Sequence, residues 1–250
     1  MLDTRPVFMS KNFLSIWLVS SLVACAGLAA CTDAAGSDTD SNSDEAEATA
    51  GDTEATGANS YRGEVWADNW SAMYIGETLV MEDSVSITTE RSFNSEVFTF
   101  EATPPFLVNV VMKDYIENDS GLEYIGEPNQ QMGDGGYIAQ ITDIASGQVV
   151  AVSGTDWRCH TIHIAPLNKE CESDPNPEET CEAEISEEPA DWKSADFDDS
   201  AWVAATQYSE AEVSPKDPYY EISWDADAAF IWGADLETHN TILCRTWVMP

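Results

Sequence analysis

Positive charge is what this chain most conspicuously lacks. It has 10 Lys and Arg against 46 Asp and Glu, for a formal net charge of −36 over 250 residues. Such a surface repels phosphate backbones and excludes nucleic acid as a partner. Only eight of the basic residues follow residue 60, which also argues against an anionic substrate. Catalytic signatures are missing too: there is no G-x-S-x-G elbow, no H-E-x-x-H and no phosphate-cradling glycine loop. Past residue 31 no apolar run approaches the length of a membrane-spanning helix. The excess of carboxylates admits two accounts, solvation in a saline exterior and the binding of a divalent cation such as calcium.

Residues 32–60 are poor in everything that folds. They contain no aromatic residue, no Leu, Ile, Val or Met, and no positive charge. Such a tract cannot bury enough apolar surface to offset its ordering entropy, so 31–60 reads as a disordered acidic linker. As a flexible coil it spans roughly 30 Å.

Residues 1–30 read as an exported leader. Arg5 and Lys11 precede the apolar run FLSIWLVSSLVACAGLAAC, which gives way abruptly to polar residues after Cys31. Leu28-Ala29-Ala30-Cys31 resembles the lipobox of bacterial lipoproteins, and Leu22-Val23-Ala24-Cys25 is a near match. The resemblance implies cleavage before Cys31 (alternatively Cys25), acylation of that cysteine and anchorage to the cell membrane. With Thr32 next, it implies the outer membrane in a Gram-negative cell.

From residue 61 to 250 the pattern is that of an all-β domain. Phe98, Phe100 and Ala102 alternate with Val97, Thr99 and Glu101, and Phe106, Val108, Val110 and Met112 line one face of the next strand. Gly76-Glu77 separates two short apolar runs as a two-residue hairpin turn would. Ser146-Gly147 does the same between Ile141–Ile144 and Gln148–Val152, and a last strand covers Thr241–Val248. Short strands at this spacing indicate a sandwich or jelly roll.

Four cysteines fall in this domain, and an even number in an exported chain argues for two disulfides. Cys171 and Cys181 bracket an acidic, proline-containing loop, which leaves Cys159 to pair with Cys244. Cys159 with Cys171 competes. His160 and His163 are separated by an odd number of residues in a strand-like stretch, which places them on opposite faces and disfavours a shared metal.

Trp192-Lys193-Ser194-Ala195-Asp196-Phe197-Asp198-Asp199-Ser200-Ala201-Trp202 resembles the W…FDDS.W stretch of galactose-binding-like jelly rolls, a group that includes carbohydrate-binding modules. Ala67-Asp68-Asn69-Trp70 through Gly76-Glu77 is similar to that group's aDn…lyvNGe hairpin. Ala229-Phe230-Ile231-Trp232, Asn240 and Cys244-Arg245 look like its closing strand pair. The FDDS residues read first as a structural turn, with Asp and Ser oxygens accepting backbone N–H bonds.

The resemblance implies a jelly-roll β-sandwich with a ligand at loops on one end, and a structural calcium. Trp157, Arg158 and Trp224 have the chemistry for sugar. Asp134, Asp225 and Asp227 are the candidate metal ligands. The expected function is a lipid-anchored binding module for carbohydrate. The alternatives are a structural or protein-interaction lipoprotein of the envelope and, behind both, a carboxylate-based glycan-active enzyme.

Overall fold

A computed structural model of the chain describes residues 57–87 and 93–250. The leader, both lipobox cysteines and the acidic tract up to residue 56 lie outside the described residues.

Two antiparallel sheets face each other. The six-stranded sheet runs in the order β13 (Thr206–Tyr208), β14 (Phe230–Trp232), β8 (Gly136–Asp143), β1 (Asn59–Asp68) and β4 (Asn94–Ala102), with β9 (Val149–Val152) also paired to β8. The seven-stranded sheet runs β11 (Glu184–Ile185), β10 (Arg158–Ile164), β15 (His239–Val248), β5 (Phe106–Lys113), β2 (Trp70–Ile75) and β3 (Thr78–Glu82), with β12 (Val203–Ala204) also on β10. A small ladder joins β6 (Leu122–Glu123) to β7 (Gln131–Met132). The chain alternates between the sheets, from β1 to β2, β3 to β4 and β14 to β15, an all-β sandwich compatible with a jelly roll.

Period-two patterning accounts for the core. Tyr61, Val65, Phe100, Ala139 and Ile141 from the six-stranded sheet meet Met73, Val108, Val110, Met112 and Ile242 from the seven-stranded one. Gly76 turns β2 into β3 with φ +55°, and Ile75 pairs Thr78 across it, the two-residue hairpin read from the sequence. Gly147 makes the second turn, between β8 and β9, with φ +71°.

Each sheet also buries part of its outer face. Trp66, Ile138, Val213, Tyr219 and Phe230 cluster on the six-stranded side. On the seven-stranded side Trp192 and Trp202 pack onto Val111 and Leu243. This double cover is why β1 is buried at nearly every position and does not alternate.

The cysteines pair Cys159–Cys244 and Cys171–Cys181, which removes the Cys159–Cys171 alternative. The longer bridge ties directly opposed residues of β10 and β15, 85 apart in sequence. No helix among the described residues is long and apolar enough to cross a membrane.

Candidate functional site

The seven-stranded sheet presents its outer face as rows of directly opposed residues, which share a face. The middle row, Ala72, Val111, Leu243 and His160, is roofed by Trp192 and Trp202. His160 stacks on Trp202 with ring centroids 5.6 Å apart.

The next row, Tyr74, Asn109, Arg245 and Arg158, is closed over Asn109 and Arg245 by the chain from Ser194 to Asp199. Buried Arg245 donates to Asn109 Oδ1 (3.1 Å), Ser194 O (2.7 Å), Phe197 O (3.3 Å) and the Asp199 carboxylate (2.7 Å). Asp198 Oδ1 accepts the Ser200 N–H at 3.0 Å, and the Trp202 N–H donates to Asp199 O. The FDDS segment is therefore a structural lid held to the sheet, as its residue types suggested.

The row at the opposite end is only partly covered: Trp70, Lys113 and Thr241 are half-buried and Ile185 is exposed, whereas His163 is 6% exposed with its Nε2 3.3 Å from Asp119 O. Trp70, Lys113, Thr241, His163 and Ile185 stand side by side across β2, β5, β15, β10 and β11. At a strand spacing of about 4.8 Å this row is about 19 Å long, the scale of a short oligosaccharide. It forms the floor of a groove of about 350 Å³, with Tyr74 at one side and Ser186, Glu188 and Lys193 on the rim. Two aromatic rings four residues apart on one strand thus share a cavity with hydroxyl, imidazole, carboxylate and ammonium groups.

Charge in the groove is specifically arranged. The Lys113 ammonium lies 5.2 Å from the centre of the Trp70 ring, and that of Lys193 lies 4.5 Å from Tyr74 and 4.6 Å from Trp192. Glu188 accepts from the Trp192 indole N–H and from Lys193 at 3.0 Å. Burial alone would raise the Glu188 carboxyl, but these two donors and the charges of Lys193 and Lys113 outweigh it and hold the group below the usual carboxylate range.

His163 reaches this groove through a local irregularity. Counting by twos sends His160 and His163 to opposite faces, but a bulge between Thr161 and His163 breaks the count. His160 pairs with Leu243 and His163 with Thr241, both on the outer face. The parity reading is corrected accordingly.

A second titratable cluster lies where β1 passes into β2 and β5 ends. Asp114 is only 2% exposed, and neither carboxylate oxygen has a hydrogen-bond partner. The nearby Tyr115 N–H is directed to Asn69 Oδ1. Burial pushes the Asp114 carboxyl well above its usual value, and the negative fields of Glu123, Asp68 and Asp134 push it further. Asp68 is raised chiefly by burial and then by Asp134 and Glu123, against a lowering pull from Lys216. Asp134 is raised by burial of its carboxyl, although the residue opens to solvent at the loop surface. Asp68, Asp114 and Glu123 do not line the groove.

Among the described residues no three His, Cys, Asp or Glu side chains are placed to hold a metal ion. Asp225 and Asp227 stand apart from Asp134, beside β9 at a recess of about 230 Å³, where Asp225 Oδ1 accepts the Asp227 N–H.

The residues singled out for sugar are dispersed. Trp157 is 1% exposed, packs on Tyr137 and donates its indole N–H to Val152 O at 2.9 Å. Both its faces belong to the core, because Trp157 points inward beside Cys159 while Arg158 points out. It is not a stacking platform. Arg158 lines a different recess of about 310 Å³ with Asp156, Asp199 and the 46% exposed Trp247. Trp224 stacks on Tyr219 at 5.7 Å and covers the other sheet.

In the linear sequence Trp70, Tyr74, His163 and Lys193 stand out only for other reasons and do not single out the groove, because which strands lie side by side is not readable there.

No protein-family model matches this sequence, and neither the curated proteins nor the solved structures yield a match.

Proposed function

We propose that the domain is the binding module of an exported, lipid-anchored protein and takes carbohydrate in the groove over Trp70 and Tyr74. The observation that carries this reading is the half-buried row Trp70-Lys113-Thr241 lining a groove, on a sheet whose middle row is roofed. Sugar rings offer flat C–H faces to aromatic rings and hydroxyls to short polar side chains. Trp70 and Tyr74 supply the first complement, and Thr241 and Ser186 the second. Lipid attachment at Cys31 supplies the anchor, and the acidic tract that precedes β1 at Asn59 holds the module away from the membrane.

A glycan array probed with the full chain, in calcium and again in a chelator, tests the reading. The expected result is binding to one glycan class that weakens at least tenfold in Trp70→Ala, and loss on chelation assigns a metal ion a role in it. A blank array from folded, disulfide-intact protein overturns it and turns attention to an envelope protein as the partner. Cys31→Ser releases the chain from the membrane fraction if the anchor is as proposed.

A further inference from the structure

The geometry points to a ligand that carries a carboxylate on its sugar ring, a hexuronate unit, as the occupant of the groove over Trp70. This rests on the carbohydrate reading above and extends it to the charge of the ligand.

The basic residues are few, but they are not evenly spread. Of the eight Lys and Arg after residue 60, two stand in this one groove. With His163 counted as neutral, Lys113 and Lys193 against Glu188 leave one net positive charge on a chain whose formal net charge is −36. Glu188 is committed to Trp192 and Lys193. Lys113 forms no ion pair among the described residues, and its ammonium rests over the Trp70 ring at 5.2 Å. Scarcity of positive charge argued against an anionic ligand; its placement reverses that argument. Salt screens the distant acids beyond about 8 Å at physiological ionic strength, so the charges lining the groove dominate what a ligand meets there.

The two requirements of the floor coincide in a uronate. A neutral pyranose stacked on Trp70 displaces the Lys113 ammonium from the ring and offers it no countercharge. A pyranose bearing a ring carboxylate gives the aromatic face its C–H bonds and gives the ammonium an ion pair at the same edge. Lys193 over Tyr74 repeats the arrangement at the side of the groove. An acidic peptide satisfies the ammoniums but leaves the two rings without a flat C–H face.

The test is calorimetric titration of the full chain at 0.15 M salt with oligosaccharides of polygalacturonate, alginate and glucuronoxylan. Each is paired with its carboxyl-reduced counterpart, and polyglutamate serves as the peptide control. The expected result is that at least one acidic oligosaccharide binds ten times or more tighter than its reduced partner. Lys113→Gln then abolishes most of that preference, read as the ratio of acidic to reduced affinity within each variant, and Lys113→Arg, which keeps the charge, restores it. Equal affinity for acidic and reduced partners overturns the uronate inference and leaves a neutral-sugar module. Binding of polyglutamate as tight as any uronate assigns the groove to acidic peptide instead. Binding of none of them overturns the uronate inference and leaves the carbohydrate reading to the glycan array.

Discussion

Replacing Cys159 and Cys244 together with alanine will cost this domain more than removing its other disulfide. The bridge closes 85 residues and the local bridge Cys171–Cys181 closes 10. In the chain-entropy account the long loop contributes about 4.6 kcal/mol and the short one about 2.7 kcal/mol. Burial widens the gap, since Cys244 is fully buried and Cys159 is 3% exposed within the core between the sheets. Truncating both sulfurs there adds a small cavity worth about 1 kcal/mol. For a domain of this size the long-bridge variant should melt about 11–22 °C lower, against about 5–11 °C for Cys171→Ala/Cys181→Ala. Guanidinium unfolding followed by tryptophan fluorescence measures both variants. The slope should rise in the long-bridge variant, because its unfolded chain exposes more surface. If the two variants lose equal stability, or the local-bridge variant loses more, loop closure does not govern this domain and the reasoning fails.

Other consequences follow from single residues. Asp114 has a folded-state pKa well above its ordinary value because it is buried without a partner. Its contribution is therefore present below the usual carboxylate range and is lost as pH rises through the raised value. Asp114→Asn should flatten the decline in stability as pH rises above the usual carboxylate range and leave the variant more stable than the parent at neutral pH. Superimposable pH–stability curves for the two proteins would count against it. Arg245→Ala strips four bonds from Asn109, Ser194, Phe197 and Asp199 and should cost about 3–5 kcal/mol. Amide exchange should then rise first between residues 192 and 202; a uniform rise across the domain would mean that this segment is not a separately held lid.

Part of the molecule is legible by inspection. Alternation in Phe98–Ala102 and Phe106–Met112 gave both strands and their inward faces, since side chains on a strand point alternately to its two sides and only one side is apolar. The glycines at 76 and 147 marked their hairpins because positive φ is easy only without a Cβ. The FDDS segment read as a turn because Asp and Ser oxygens bond nearby backbone N–H groups. All of these are local properties, and the sequence contains local properties directly.

The Cys159–Cys244 pairing, the bulge that turns His163 outward and the inward facing of Trp157 depend on which strand lies beside which, and in what register. The groove depends on it most. Trp70, Lys113, Thr241 and His163 come from four strands spread over 171 residues and become neighbours only when β2, β5, β15 and β10 pair in that order. Composition and periodicity determined that this chain makes strands, turns and disulfides. Tertiary pairing decided which aromatic rings are roofed and which are only partly covered, because exposure on a sheet is set by what packs over each row and not by the residue itself.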